Sequence, residues 1–426
     1  MGQGVLTPGF KRVDGILCCD GVSLQRIADA AGTPAYVYSA AMIRSQYRRL
    51  DSSLGRIRHR IHYSLKANSN RAVLRVIQSL GSGADVVSIG EFHRARRAGF
   101  APGDIIFGGV GKSKAELREA LNAELLLINV ESEQELRMVD ELARERSLRA
   151  PISIRVNPGV TLDASHQYIQ TGNPGAKFGV PLADVPALAR VAAALPNVEL
   201  VGLAMHIGSQ LRDLGPYREA AVRLVGLVAH VRAYGIETLR YLDLGGGLGV
   251  QYDSEPGANL ADFASLVVPL VADSGLALII EPGRFIVGNG GVMLTSVLYR
   301  KRSGDKEYVV VDAGMTELLR PSHYGAFHRI EPIGQPHGTL VADVVGPICE
   351  SGDFLALDRT LPEIAVGEAL AVFDVGAYGS VMASTYNSRP RIPEVLVDGG
   401  RFAVVTARES YDDLMRLEID APEWRE

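Results

Sequence analysis

The segment IHYSLKANSNRAVLRVIQSLG, residues 61–81, contains one complete unit of the fold. Ile61–Leu65 is a short, largely apolar run ending in polar residues, as a strand covered on both faces requires. Beyond it Val73, Val76, Ile77 and Leu80 fall at i, i+3, i+4 and i+7, the stripe of a helix over Ala72–Leu80, and Gly81 supplies the stop. Outward from this unit the same alternation runs from about residue 36 to residue 284. Further strands are expected at Ala84–Val87, Ile105–Phe107, Leu125–Val130, Ile152–Val156, Leu200–Met205, Leu239–Leu244 and Leu278–Ile280. Eight β–α units in about 250 residues are the count and size of a closed (β/α)8 TIM-type barrel. An open doubly wound sheet shares the alternation, but eight units favour closure.

The helices carry their own end signals. Ser113 with Glu116, and Ser132 with Glu135, each fit a capping box. Arg218–Tyr234 carries Leu224, Val225, Val228 and Val231 on one stripe before Gly235. Outside the expected barrel, residues 36–284, the pattern changes. Residues 1–35 hold Asp14-Gly15 and Asp20-Gly21 around a β-like run, then a helical stretch. Past residue 290 strands follow without long helices: Tyr308–Val311, Leu340–Val345, Ala369–Phe373, Glu394–Val397 and Ala403–Val405. A second, all-β C-terminal domain, sandwich or barrel, is therefore expected over residues 285–426, joined by residues 1–35.

Composition narrows the function. Of the 426 residues, 47% are hydrophobic and 22% charged, and 44 Lys+Arg against 49 Asp+Glu give a net charge of −5. With a mean hydropathy of +0.09, this is an ordinary globular chain. Lacking basic runs, it offers no surface for nucleic acid or an anionic membrane. No apolar run reaches the roughly 18 residues of a membrane span, and the start MGQGVLTPGF does not read as a signal peptide. Cys18, Cys19 and Cys349 are too few for a disulfide scaffold. The nine histidines are scattered, with no HExxH or Cys-x-x-Cys, so no metal site is expected. A soluble, cytoplasmic protein with reduced thiols follows.

A barrel of this kind places its active site at the C-terminal ends of its strands. The residues there are Lys66; Asp85 and Ser88; Gly108 and Gly109; Asn129 and Glu131; Arg155 and Asn157; His206; Gly245, Gly246 and Gly247; then Glu281, Gly283 and Arg284. The triple glycine leaves backbone N–H groups able to cradle an anion, and phosphate sites commonly follow strands seven and eight of such barrels; alternatively the glycines only turn the chain. A lysine with its stem in the barrel mouth has an amine suited to a Schiff base, the alternative being a structural ion pair. Lys66, a phosphate site, an imidazole able to stack on a ring and a carboxylate, Glu281, able to keep a pyridine nitrogen protonated together point to pyridoxal phosphate. Alone, His206 would read as a core histidine. Two lookalikes fail: GGVGKS (108–113) has Ile106 where a P-loop needs its first glycine, and GGGLGV (245–250) ends on Val250 where a dinucleotide fingerprint needs glycine.

With these residues in place, the chain resembles the bacterial diaminopimelate decarboxylases, within the alanine-racemase-like fold that also contains ornithine and arginine decarboxylases. Motifs of the broad family are SLKAN around Lys66, GADVVSIGE (83–91), KFG (177–179), HIGSQ (206–210), GGGLG (245–249) and EPGR (281–284). Those of the diaminopimelate branch are VDAGMTELLRPSHYGA (311–326), GPICESGD (346–353), GAYGSVMASTYNSRPR (376–391) and RES (408–410). The likeness extends from GTPAYVYS near residue 32 to RESYDDL near residue 414.

The resemblance implies pyridoxal 5'-phosphate held by Lys66, with Asp85, His206, Ser209, Gly245, Gly246, Gly247, Glu281, Pro282, Gly283, Arg284 and Tyr378 around it. It implies that Arg284, Arg320, Tyr324 and Tyr378 meet the substrate, that Glu350 reads its distal amino group and that Cys349 donates a proton. In the family Cys349 and Glu350 reach the site from the partner subunit, which implies a homodimer with shared active sites. The implied reaction is decarboxylation of meso-2,6-diaminopimelate to L-lysine. The alternatives are another diamino acid (ornithine, arginine or carboxynorspermidine) or a non-catalytic homologue; Arg320 and Glu350 within full motifs oppose the first, and Lys66, Cys349 and Glu281 together oppose the second. Ser64, where the family often has alanine, is a small departure. Cys18 and Cys19 match no motif.

Overall fold

The structure is a computed structural model that describes residues 9–55, 57–162 and 167–425. Of the start MGQGVLTPGF, residues 1–8 lie outside the described residues. The chain divides into two compact units, Met42–Asn289 and Met1–Ala41 with Gly290–Glu426.

The first unit is a closed parallel barrel. Its strands are His59–Ser64, Gly83–Val86, Ile105–Phe107, Leu127–Val130, Ala150–Asn157, Val198–Met205, Tyr241–Asp243 and Ala277–Ile280. The ring closes because the eighth strand pairs with the first, while the fifth pairs with both the fourth and the sixth. Ile106, Leu127, Val201 and Ile279, from the third, fourth, sixth and eighth strands, meet in one buried cluster, so the barrel is filled by side chains.

The helices end where their chemistry dictates. Arg71–Gln78 starts on Asn70, whose side chain accepts the Ala72 N–H, and Gly81 beyond it has φ +85°. Ser113 and Glu116 form a reciprocal capping box. Ser132 and Glu135 do not: Ser132 caps Glu135, but the Glu135 carboxylate accepts the N–H of Glu131 at 2.8 Å. That turns the carboxylate toward the preceding strand end and anchors the loop there.

The second unit is β-rich. Its long strand Gly291–Ser303 is flanked over its first half by Ala35–Ser39 and Ala369–Phe373, and over its second half by Lys306–Val311. Leu340–Val345, Phe354–Leu361, Glu394–Asp398 and Arg401–Thr406 extend the sheet. Phe10, Leu17, Cys19, Leu24 and Ile27 pack against Val292, Leu294, Phe373 and Val395, so the N-terminal stretch is bound into this unit by apolar burial, with Cys19 a small hydrophobe of its core.

The boundary between units differs from the expected 36–284. Ala35–Ser39 pairs with Gly291–Leu294 on one side and Glu394–Val397 on the other, and this ladder holds residues up to Ala41 in the β-rich unit. No helix among the described residues is long and apolar enough to cross a membrane.

Candidate active site

The first barrel strand runs into the short turn Leu65–Ala67, which carries Lys66 over the strand end. Ser64 lies in register with Asp85 on the second strand, so the side chains of this corner converge. Lys66 Nζ donates to Asp85 Oδ2 at 2.7 Å. Ser64 Oγ donates to the same oxygen at 2.7 Å and lies 3.0 Å from the carbonyl oxygen of Glu281. Burial pushes the Asp85 carboxyl up, but the Lys66 ammonium, its hydrogen bond and the Ser64 hydroxyl together hold it below the usual carboxylate range. The Lys66 side chain keeps 34% exposure, against 3% for Asp85, so its amine stays reachable.

At the ends of strands seven and eight the balance reverses. Asp243 and Glu281, respectively, are both buried there. Asp243 is pushed up to about 7, by burial above all, although the Gly245 N–H donates to its Oδ1 at 2.8 Å. Burial and then the neighbouring Asp243 charge raise Glu281 well above an ordinary glutamate. One proton shared by this pair is the arrangement that two buried like charges favour.

His206 follows the sixth strand, which pairs with the seventh. Burial, the Lys66 ammonium and Arg155 push its imidazole down to about 3. The Gly246 N–H donates to Nδ1 at 3.2 Å, which leaves the ring hydrogen on Nε2. The triple glycine has to be bare here: Gly245 has φ +68°, and a Cβ on Gly246 would run into the Glu281 carbonyl. Pro282 is fixed through its carbonyl, which accepts the Ser64 N–H at 3.3 Å. Buried Arg284 donates from Nε and Nη2 to Ser209 Oγ at 3.2 and 3.1 Å and from Nη1 to the Tyr252 hydroxyl at 2.6 Å.

A supporting layer surrounds these groups. Arg155 donates to Glu131 at 2.8 Å, and the other Glu131 oxygen accepts the Gly179 N–H at 2.8 Å. The Arg155 guanidinium lies 4.9 Å from the centre of the Phe178 ring, so the pair fastens the KFG motif to the barrel. Glu91, pushed to about 6 mainly by burial, accepts the Val87 N–H at 2.8 Å and steadies the loop after Asp85. Lys112 of the GGVGKS lookalike has its ammonium 2.5 and 2.7 Å from the Gly109 and Asn129 carbonyls and 2.7 Å from Glu135, a structural use of the amine.

Lys66, Asp85, His206, Ser209, Gly245, Gly246, Gly247, Glu281, Pro282, Gly283 and Arg284 thus gather at one end of the barrel. Arg320, Tyr324, Cys349, Glu350 and Tyr378 belong to the β-rich unit. Cys349 and Glu350 stand exposed on a turn fastened from beneath: Asp353 accepts the Met315 and Ile348 N–H groups, each at 2.6 Å, and Asn387 accepts that of Cys349 at 3.0 Å. Tyr378 holds φ +58°, a left-handed backbone uncommon for a bulky residue. Arg320 is buried, 2.8 Å from His328 Nε2, and half-buried Tyr324 has its ring 4.6 Å from that of His323.

Asp243, Tyr252 and His328 were not singled out by the sequence reading. Only Asp243 left a signal, a carboxylate inside the otherwise apolar run LDL.

The donor set fits pyridoxal phosphate: a reachable lysine amine, a neutral imidazole, a carboxyl pair and a glycine loop with no room for side chains. The class of protein is that of the pyridoxal-phosphate barrels, and residues 40–288 match the family model described as pyridoxal-dependent decarboxylase, pyridoxal binding domain. Within that class the chain belongs to the diaminopimelate decarboxylase family. It is 44% identical over 417 residues to diaminopimelate decarboxylase of Aquifex aeolicus, covering 97% of this chain and 98% of the relative. With the Pseudomonas aeruginosa diaminopimelate decarboxylase it shares 43% identity over 416 residues, 97% and 99% of the two chains. Diaminopimelate decarboxylase from Helicobacter pylori, solved in complex with L-lysine, superposes with a TM-score of 0.90 at 41% identity, covering 93% of this chain and 99% of that one.

Proposed function

We propose that this chain decarboxylates meso-2,6-diaminopimelate to L-lysine and carbon dioxide, the last step of lysine biosynthesis, as a cytoplasmic homodimer with shared active sites. The observation that carries the chemistry is the contrasting electrostatics of the barrel mouth: an ionised Asp85 under the Lys66 amine, and a proton-retaining Glu281–Asp243 pair at the ends of strands eight and seven. The choice of substrate draws on the full-length likeness to diaminopimelate decarboxylases and on the L-lysine complex of one of them.

Pyridoxal 5'-phosphate, when bound, supplies an electron sink for the pair of electrons left behind as carbon dioxide departs. Lys66 would hold it through its amine, which Asp85 keeps in place. The bare loop Gly245–Gly247, with Ser209, Pro282, Gly283 and Arg284, would receive the phosphate end, and the family resemblance adds Tyr378 to that set. His206, as a neutral imidazole, would face the ring without adding a positive charge that competes with it for electrons. Glu281 would serve the ring nitrogen, its shared proton maintaining the sink. Arg284, Arg320 and Tyr324 bind substrate carboxylate, the guanidinium fork matching that group in plane. Glu350 accepts from the distal ammonium, and Cys349 Sγ delivers a proton to the carbon that has lost carbon dioxide. The exposed, rigidly held turn at Cys349 and Glu350 supports delivery of these two side chains to a second subunit's site.

Product analysis with meso-diaminopimelate, L,L-diaminopimelate and ornithine side by side tests the reading; equal or faster turnover of ornithine overturns it. Cys349→Ala should lower turnover by about 100- to 10,000-fold, the range of a lost proton donor, with bound cofactor unchanged by absorbance. Loss of the cofactor instead would remove Cys349 from that role.

A further inference from the structure

Arg320 is the residue through which this branch of the family would recognise a second amino-acid end, yet a long side chain recognises a carboxylate well only if its fork is held in one orientation. The structure contains the device that holds it. Arg320 lies at the start of the short helix Arg320–Tyr324. Its Nη1 is 2.8 Å from Nε2 of His328, which is 0% exposed. A guanidinium has only donors, so His328 Nε2 must present its lone pair. The ring hydrogen then sits on Nδ1, which donates to the Phe373 carbonyl at 2.8 Å. Phe373 closes the strand Ala369–Phe373, so the chain of bonds runs from a sheet backbone through the imidazole to the guanidinium. The anchor is itself pinned: Arg359 donates to the His328 carbonyl at 2.8 Å, with its guanidinium 3.8 Å from the centre of the Phe327 ring.

We propose that His328 is a specificity-positioning residue: through this neutral relay it fixes the Arg320 guanidinium for the carboxylate that the substrate keeps. The inference rests on the carboxylate role given to Arg320 above. The chemistry favours imidazole over a carboxylate at this place, because a neutral acceptor orients the guanidinium without cancelling its charge. A carboxylate would orient it and also compete with the substrate anion.

The test is binding to the holoenzyme, measured by calorimetry with two probes, L-lysine, which keeps a carboxylate, and 1,5-diaminopentane, which has none. His328→Asn reaches only as far as Nδ1, so it can keep the bond to Phe373 and loses the acceptor for Arg320. His328→Gln reaches to Nε2 and can restore an acceptor there. The expected result is that His328→Asn weakens L-lysine at least tenfold, leaves 1,5-diaminopentane within twofold, and that His328→Gln recovers most of the loss. Equal weakening of both probes would mean a merely structural residue, and unchanged L-lysine binding would mean no role; either overturns the proposal. Should His328→Asn fail to fold, the comparison is read on His328→Phe, which keeps a ring but has no acceptor for Arg320, and equal weakening of both probes, or of neither, overturns the proposal. Arg320→Gln run in parallel separates the two layers: if it too leaves L-lysine binding unchanged, the carboxylate reading of Arg320 fails and this inference falls with it; if it weakens L-lysine while His328→Asn does not, only the positioning role fails.

Discussion

The two sides of the barrel mouth bury carboxyl groups to a similar degree and leave them in opposite states. At the junction of strands one and two, Asp85 is held below the usual range by the Lys66 ammonium and the Ser64 hydroxyl despite its burial. At the ends of strands seven and eight, burial above all raises Asp243 to about 7, and burial together with the Asp243 charge raises Glu281 well above its ordinary value. Burial alone therefore does not decide the charge; the partner placed within hydrogen-bond reach does. One fold thus keeps an anion under an amine and, a few strands along the same rim, a proton on a carboxyl pair.

The largest effect should come from removing the partner that separates the two sides. Lys66→Ala should abolish turnover, a loss on the order of 1,000-fold or more, and eliminate any borohydride-trappable adduct. It should also cost about 1–3 kcal/mol of stability, below the usual penalty for breaking a buried pair because Lys66 is a third exposed. Lys66→Arg separates the two consequences: it keeps a cation beside Asp85, so urea unfolding should return toward the parent value while turnover stays absent. Measurable turnover by Lys66→Arg would show that the lysine serves only as Asp85's counter-charge.

Much of this contrast was accessible from sequence, for a physical reason. Barrel strands buried on both faces tolerate few polar residues, so those that occur cluster at strand ends, and Lys66, Asp85, His206, the triple glycine and Glu281 stand out against Ile, Leu and Val. Asp243 was harder to see: only its neighbours in space, not in sequence, show that it shares a pocket with Glu281. The β-rich unit was less legible. Gly291–Ser303 changes partners halfway, and its second half, Leu298–Ser303, is largely exposed and carries Arg300, Lys301 and Arg302, which obscures the strand pattern. Ala35–Ser39 finds its partners more than 250 residues away, around Leu294 and Val395, so nothing local marked it as outside the barrel. His328 is invisible in the same way, since its meaning lies in the Phe373 carbonyl behind it.

An intermediate effect concerns the protonated side. The folded value near 7 for Asp243 lies above the roughly 3.9 of an unfolded aspartate. Between about pH 4 and pH 7 the folded chain therefore binds more protons at this position than the unfolded one, and stability falls as pH rises through that window. Asp85 has the opposite sign: its lowered value contributes stability that is present above about pH 4 and lost on further acidification. In cofactor-free protein, urea unfolding at pH 5, 6 and 7.5 should show Asp243→Asn losing less stability with rising pH than the parent, by on the order of 1–4 kcal/mol across the window. Parallel curves for the two proteins would mean that Asp243 stays ionised beside Glu281.

The smallest effect tests how much of Asp85's charge depends on Ser64. This hydroxyl donates to the same carboxylate oxygen as Lys66, at the same 2.7 Å. Ser64→Ala removes one of two donors and leaves the ammonium, so it should destabilise by about 1–2 kcal/mol, the scale of a single hydrogen bond to a charged group, and change kcat/KM by only a few-fold. An ammonium retains its full attraction when one neutral donor is lost, whereas a neutral donor cannot hold a buried carboxylate ionised by itself. If Ser64→Ala instead approached the stability loss of Lys66→Ala, the hydroxyl rather than the amine would be what sets the anionic side of the mouth apart from the protonated one.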